Sequence, residues 1–431
     1  MGKLIIYLLI FATGVSLFFA PWIAGIGYVL NSLLQPQYIW PWIFSGIPIF
    51  RITAALAILG LVFALVQKKA SFSVYREHQN LMILCLWFWM HLSHLFSPFE
   101  GSPASVSPDV VLSTINSILI MYFVLVSLCR SESAIIYLCY IFVAIGVYYA
   151  YWANMAYINQ EWYRFTNNRL NGPYRSPYQD GNVLSTLLVM CIPFIIFLYF
   201  RVKNFLLRTA IILTVPAVWH ALVLFGSRGA FLASAITLLV SGYMISSRKI
   251  KVIIGVSFCC FMVYQGALLL DRAASTVAED NVQTEGAINP RLISWEAGLK
   301  LIPEYPLFGV GVQMFEAAAT SHFPGMTPHV AHNTFLNFSA NTGLLTGLIF
   351  LALNYIAFRR LIRAKKIITS LADLSSFAVV ASSISIIGFF VCSLFLDLII
   401  FEPFYIAMII NILAYKRLEN RERQAMMEKD E

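Results

Sequence analysis

Apolar stretches long enough to cross a lipid bilayer recur from one end of this sequence to the other. A transmembrane helix needs about 20 mainly apolar residues, whereas a soluble core does not need such runs. Only 12% of the residues are charged, about half the share found in a soluble protein. We therefore predict an all-α polytopic membrane protein with about 12 transmembrane helices, at residues 4–34, 47–66, 80–96, 109–129, 134–151, 181–200, 209–226, 229–245, 252–270, 334–357, 375–396 and 398–414.

The first apolar run, residues 4–34, is longer than one span requires and contains Pro21 and three glycines. It fits either one kinked helix or a short helical hairpin. No small-residue cleavage site stands before Pro21, so we predict a retained span rather than a signal peptide.

Basic residues concentrate in alternate connections between the spans. Lys3 and the segments 67–79, 130–133, 201–208, 246–251, 358–374 and 415–431 hold 21 Lys and Arg against 8 Asp and Glu. The rest of the chain holds 8 and 13. The positive-inside rule makes the basic side cytoplasmic, with both termini there. The net charge of +8 then reflects topology, so no nucleic acid partner is needed to explain it.

This topology divides the chain into four parts. Residues 1–270 form a bundle of nine spans, 271–333 a long outward loop, 334–414 the last three spans, and 415–431 a cytoplasmic tail. Long outward loops are where binding and catalytic residues concentrate.

Most outward-facing basic residues are arginines. Arg presents a fixed fork of donors that matches phosphate oxygens two at a time, which Lys cannot do. The outward set therefore favours a lipid diphosphate ligand, although single arginines can also snorkel to the membrane surface. Its members are Arg51, Arg164, Arg169, Arg175, Arg228, Arg272, Arg291 and Lys300.

Two of these arginines stand at predicted helix starts. Arg228 lies between two spans in Gly226-Ser227-Arg228-Gly229, and Arg291 follows Asn289-Pro290 at the start of an amphipathic helix. Free amides at a helix N-terminus favour an anion at the same place. Arg228 and Arg291 are thus the leading candidates for diphosphate binding.

His332 is the leading candidate for a general base. It stands at the outward-facing start of a predicted span, and imidazole accepts protons near neutral pH. His322 and His329 lie in a segment broken by prolines. No cluster suggests a metal site, and the seven cysteines lie in or beside apolar runs, so we predict no metal, cofactor or disulfide. Asp397, near the outer turn between the last two spans, could orient an Arg or His. The remaining candidates, for substrate binding, are Arg169, Arg175, Asn333 and Asp397.

Two motifs stand out in the second half of the chain: Arg228-Gly-Ala-Phe-Leu232, and His332-Asn333, nine residues, then Gly343-Leu-Leu-Thr346. Both resemble motifs of the O-antigen ligases of Gram-negative bacteria and of their ligase/polymerase superfamily. Arg291-xxx-Trp295 and Pro306-Leu-Phe-Gly-Val-Gly311 resemble the stretch before the family's His motif.

The resemblance implies a glycosyltransferase C-like enzyme of the bacterial inner membrane. It would move a glycan from undecaprenyl diphosphate to a lipid A-core sugar at the periplasmic face, without metal or nucleotide and with inversion. His332, Arg228 and Arg291 would be its catalytic residues.

Other functions fit the same motifs. An O-antigen polymerase or a protein O-oligosaccharyltransferase would use the same donor with another acceptor, and Pro36–Leu61 resembles exosortase-linked members of the family. A lipid-linked glycan transporter is disfavoured, because such proteins usually place charges in mid-bilayer and often show inverted repeats, which this sequence lacks.

Overall fold

The computed structural model describes residues 2–249, 251–252, 254–256, 258–259, 263, 290–322, 330–368 and 370–430. Most of the predicted span 252–270, and Arg272, lie outside these residues. Helices make up nearly all of the described secondary structure.

Seven described helices are long and apolar enough to cross a membrane, which confirms an all-α polytopic membrane protein. They are α5 (Ile49–Val66), α7 (Pro108–Leu128), α8 (Glu132–Ile158), α9 (Gly181–Arg201), α10 (Phe205–Phe225), α15 (Leu344–Ile367) and α16 (Leu374–Ser393).

The other described helices are shorter, more polar or only partly apolar. They are α1 (Gly2–Ser16), α2 (Trp22–Leu34), α3 (Pro36–Ile39), α4 (Pro41–Phe44), α6 (His78–Leu95), α11 (Arg228–Met244), α12 (Pro290–Glu304), α13 (Phe315–His322), α14 (Thr334–Thr342) and α17 (Glu402–Asp430). The total of about 12 crossings stays a prediction.

Residues 4–34 form a hairpin rather than one kinked helix. α1 ends at Ser16, and α2 begins at Trp22 after the turn that contains Pro21. Gln67 donates a hydrogen bond to the carbonyl of Phe18 at 3.1 Å, so the turn lies beside the C-terminal end of α5. The Pro21 ring removes an amide hydrogen, which favours a break at this point.

This hairpin places the N-terminus at the end of the bundle opposite the basic connections. Lys3 donates a hydrogen bond to the carbonyl of Ser45, just before α5, whereas Lys69 binds the carbonyl of Phe19 at the other end of α5. The prediction that both termini share the basic side is therefore wrong. We call the end with Ser45 the outer end and the end with Lys69 the inner end.

The C-terminal segment lies at the inner end but is not a separate tail. α17 runs unbroken from Glu402 to Asp430, so residues 415–430 continue the last apolar helix. Lys416 pairs with Glu77, and Arg421 pairs with Asp373 at 2.7 Å. These ion pairs fasten the helix to the inner connections.

The predicted span 334–357 is broken into two helices at Gly343. α14 has nine residues, about 14 Å of helix, and α15 starts after Gly343, whose φ is 91°. A Cβ at residue 343 would collide with the carbonyl oxygen of Leu307. Hydropathy did not reveal this break, because Gly343 ends the helix while the residues around it remain apolar.

α16 is the central helix of the described bundle and packs against α9, α11, α15 and α17. It ends at Ser393 at the outer end, where residues 394–401 connect it to α17. This connection forms a wall of the site described next.

Candidate functional site

Three arginines from distant parts of the sequence line one cavity at the outer end. The cavity has a volume of about 270 Å³, and its lining residues are Arg169, Asn182, Gly226, Ser227, Arg228, Gly229, Arg291, Cys392, Phe395 and Leu396. Burial lowers the pKa of Arg291, and the nearby charges of Arg228 and Arg169 lower it further, partly offset by Asp180. Three like charges held this close favour an anionic ligand between them.

Helix N-termini add to the positive potential of the cavity. α11 begins at Arg228 and α12 begins at Pro290, directly before Arg291. α9 begins at Gly181, beside the lining residue Asn182. The predicted helix starts at Arg228 and before Arg291 are confirmed. Amide donors from helix N-termini at a cavity favour bound phosphate oxygens.

The junction between α10 and α11 is short and well capped. Gly226 ends α10 with φ 66°, and the side chain of Ser227 accepts a hydrogen bond from the amide of Ala230 at 3.4 Å. Ser227 is the N-cap residue of α11, and its side-chain hydrogen bond fixes the backbone where the helix begins. Arg228 therefore lies in the first turn of a helix rather than in a loop.

A short β-hairpin brings Arg169 to the same cavity. β1 (Phe165–Thr166) pairs with β2 (Arg169–Leu170), with Thr166 opposite Arg169. The turn residues Asn167 and Asn168 have φ values of 49° and 57°, as a tight two-residue hairpin turn requires. The carbonyl of Leu170 lies so close to Gly181 that a Cβ there would approach to 2.6 Å, so the hairpin packs on the start of α9.

His332 lies on a segment that is docked against the cavity wall. The hydroxyl of Thr334 donates to the carbonyl of Leu396 at 2.7 Å, and Asn333 donates to the carbonyl of Leu394 at 3.2 Å. Leu396 is itself a lining residue of the arginine cavity. His332, which is half-buried, is not among the lining residues, but its segment is hydrogen-bonded to the connection that carries Leu396.

Asp397 fixes the backbone of His332. The amide of His332 donates to Oδ2 of Asp397 at 3.1 Å, and His332 has a φ of 47° in the left-handed region. Such a conformation is costly for a residue other than glycine, so it needs support from its surroundings. Burial raises the pKa of Asp397 to about 6, while hydrogen bonds from the His332 and Asn333 amides and from Asn337 oppose that rise.

This raised pKa predicts a pH-dependent stability. The folded state holds the Asp397 proton more tightly than the unfolded state does, so stability is lost as pH rises from about 4 through about 6. The carboxyl should lower the free energy of unfolding by roughly 2–3 kcal/mol at pH 7 relative to pH 4. Asp397→Asn should remove this dependence, measured by denaturation in detergent across that range. Asp109→Asn, at an exposed outer carboxylate, is the control, and matching profiles for wild type and Asp397→Asn would contradict the assignment.

The remaining predicted site residues separate into two groups. Asn333 caps α14 by accepting from the amide of Leu336 at 3.1 Å, beside His332. Arg175 is outside the set that lines the cavity, and its guanidinium carbon lies 5.3 Å from the ring centre of Tyr174 on an exposed loop. Its role in substrate binding stays a prediction.

Sequence reasoning missed several cavity residues, including Asn182, Phe395 and Leu396. The sequence does carry a signal for the position of Asn182, because Asp180 stands before an apolar run, as an N-cap residue does. In the structure Asp180 accepts a hydrogen bond from the Asn182 amide at 2.8 Å. Phe395 and Leu396 carry no motif. Glu402, another carboxylate near the outer turn, accepts hydrogen bonds from Tyr28 and Ser32.

Metal ligands are not grouped in the described part of the chain: no three His, Cys, Asp or Glu side chains there cluster around a common point. The side chains of His322 and His329 lie outside the described residues. Independence from metal therefore stays a prediction.

Comparison with known proteins divides the chain in two. Residues 214–351 match the family model described as O-antigen ligase, and residues 1–203 match a family of unknown function (DUF5935). The first match includes Arg228, Arg291, His332 and Gly343, and Arg169 falls in the second. No curated protein matches the chain.

Proposed function

We propose that this protein is an O-antigen ligase, because residues 214–351 match the family model of that description. It transfers a glycan from undecaprenyl diphosphate to a lipid A-core sugar at the periplasmic face of the bacterial inner membrane. The observation that carries this proposal is the cavity shared by Arg169, Arg228 and Arg291. A lipid diphosphate is an anion that suits such a cavity.

The arginines bind the diphosphate and stabilise it as it leaves. When the bond between the sugar C1 and the phosphate oxygen breaks, negative charge grows on that oxygen. Guanidinium groups fixed beforehand around this oxygen stabilise the developing charge without reorganising during the reaction. Arg228 and Arg291 have this catalytic role, and Arg169 contributes to binding of the diphosphate.

His332 activates the acceptor. Its imidazole takes the proton of the acceptor hydroxyl as the oxygen attacks C1 from the side opposite the diphosphate, so the anomeric centre inverts. Asp397 supports this role through the amide of His332. Asp397 is thus a positioning residue in this mechanism, and its direct contact with the substrate stays a prediction. Asn333 and Arg175 stay candidates for contacts to the substrate.

The purified protein with a lipid-linked glycan donor tests the proposal. Lipid A-core, a second lipid-linked glycan and a periplasmic protein extract are offered as separate acceptors, with and without excess chelator. We expect an inverted glycan linkage to lipid A-core, with equal yield in chelator. Elongation of the lipid-linked glycan alone would make the protein a polymerase, and glycan on protein alone would make it an oligosaccharyltransferase. Loss of transfer in chelator, restored by magnesium, would contradict a metal-independent reaction.

A further inference from the structure

An outward-facing polar and aromatic surface adjoins the arginine cavity and has no role in the mechanism above. It consists of Trp162, Tyr163, Arg164, Thr166 and Asn171, and we call it the hairpin surface. The side chains of Tyr163 and Trp162 are well exposed, at 80% and 53% of their maximal area. Exposed rings beside polar groups are typical of surfaces that bind amphipathic ligands.

The β-hairpin connects this surface directly to the cavity. Thr166 pairs with Arg169 across the two strands, so their side chains lie on one face. The side-chain amide of Asn171 donates to the hydroxyl of Thr166 at 2.8 Å, which places Asn171 on that face as well. One end of the face therefore reaches the diphosphate-binding arginines.

The same backbone pairing continues to the aromatic end of the surface. The backbone amide of Asn171 donates to the carbonyl of Arg164 at 2.9 Å, so the end of the short 3-10 helix Trp162–Arg164 is held beside β2. Tyr163 therefore lies on the helix that leads directly into β1, the strand that pairs with Arg169.

Arg164 holds the Tyr163 ring in place before any ligand arrives. Its guanidinium carbon lies 4.9 Å from the ring centre of Trp152 and 5.4 Å from that of Tyr163. Glu161 pairs with the same guanidinium at 2.5 Å. Rings fixed in this way lose little conformational freedom when a ligand stacks on them.

We propose that the hairpin surface is a subsite for the glycan of the lipid-linked donor, with a sugar stacking on Tyr163 and hydroxyls bonding Thr166 and Asn171. This inference rests on the proposed function, because the diphosphate in the arginine cavity sets where the glycan starts. Sugars present apolar C–H faces together with many hydroxyls, which match a ring flanked by a hydroxyl and an amide. The polar composition of the surrounding loop, with Asn159, Gln160, Asn167 and Asn168, disfavours insertion into lipid.

Binding of two lipids by the full-length protein in detergent tests this subsite. One probe is undecaprenyl diphosphate without sugar, and the other is undecaprenyl diphosphate carrying the glycan that accumulates in a deletion strain. Tyr163→Ala should weaken binding of the glycan-bearing lipid by about 3- to 10-fold and leave the sugar-free lipid unchanged. Tyr163→Phe should keep wild-type binding, because the ring remains.

Tyr151→Ala is the matched control, since this ring on α8 is also exposed, at 61%, but lies off the hairpin. It should leave the binding of both lipids unchanged. Equal weakening of both lipids by Tyr163→Ala would overturn the subsite and assign the ring to the membrane surface, and no weakening of either would overturn it as well. Wild-type protein that binds neither lipid would instead remove the proposed donor, and with it the premise of the subsite.

Discussion

Replacing His332 by asparagine should lower the rate of glycan transfer by about 10²–10⁴-fold, the usual contribution of a general base. Asparagine is the sharpest replacement because His332 has a φ of 47°, and asparagine tolerates the left-handed region better than alanine or glutamine. The variant should therefore fold, insert and bind the lipid-linked donor. Transfer with purified protein, together with donor binding, measures the two effects separately.

A second outer-end histidine is the control for this experiment. His94 lies 3.5 Å from Asp109 and is not among the residues that line the arginine cavity. His94→Ala should keep most of the activity. Near-normal transfer by His332→Asn would remove His332 from the proton transfer and leave the arginines as the assigned chemistry.

Replacing Arg228 by lysine should lower kcat by about 10²–10³-fold although the charge is kept. Arg228 leaves the first turn of α11 in a cavity that already holds Arg169 and Arg291. A lysine supplies one point charge there, whereas the guanidinium fork can bind two diphosphate oxygens at once. Steady-state transfer at saturating donor measures the loss.

Arg51→Lys is the matched control, because Arg51 is an exposed outer-end residue near the start of α5 and does not line the cavity. It should leave transfer unchanged. An Arg228→Lys protein with nearly normal kcat, at normal expression, would show that the site needs only positive charge at this position.

The sequence singled out the three arginines that line the cavity, and its strongest signals for two of them are local. Ser227 before Arg228, and Pro290 before Arg291, mark helix starts through backbone chemistry that acts within one turn. The motif from His332 to Gly343 also proved structural, since Gly343 allows the Leu307 carbonyl to approach at the end of α14. The same glycine makes the predicted span 334–357 wrong as a single helix.

Asp397 illustrates a signal that the sequence carries only in part. A carboxylate beside an apolar turn suggested that it could orient an Arg or His, but not which atom it binds. The structure shows that it accepts from the His332 backbone amide, a contact across 65 positions that no local pattern encodes.

Hydropathy by itself determined that this protein is an all-α polytopic membrane protein and where many of its helices start. It did so because a helix in lipid must satisfy its backbone hydrogen bonds within its own segment. Only the tertiary structure decided that residues 4–34 form a hairpin, that the termini lie at opposite ends, and that Arg169 joins Arg228 and Arg291. Apolar helix faces look alike in sequence, so the choice of neighbours depends on packing between residues that are far apart along the chain.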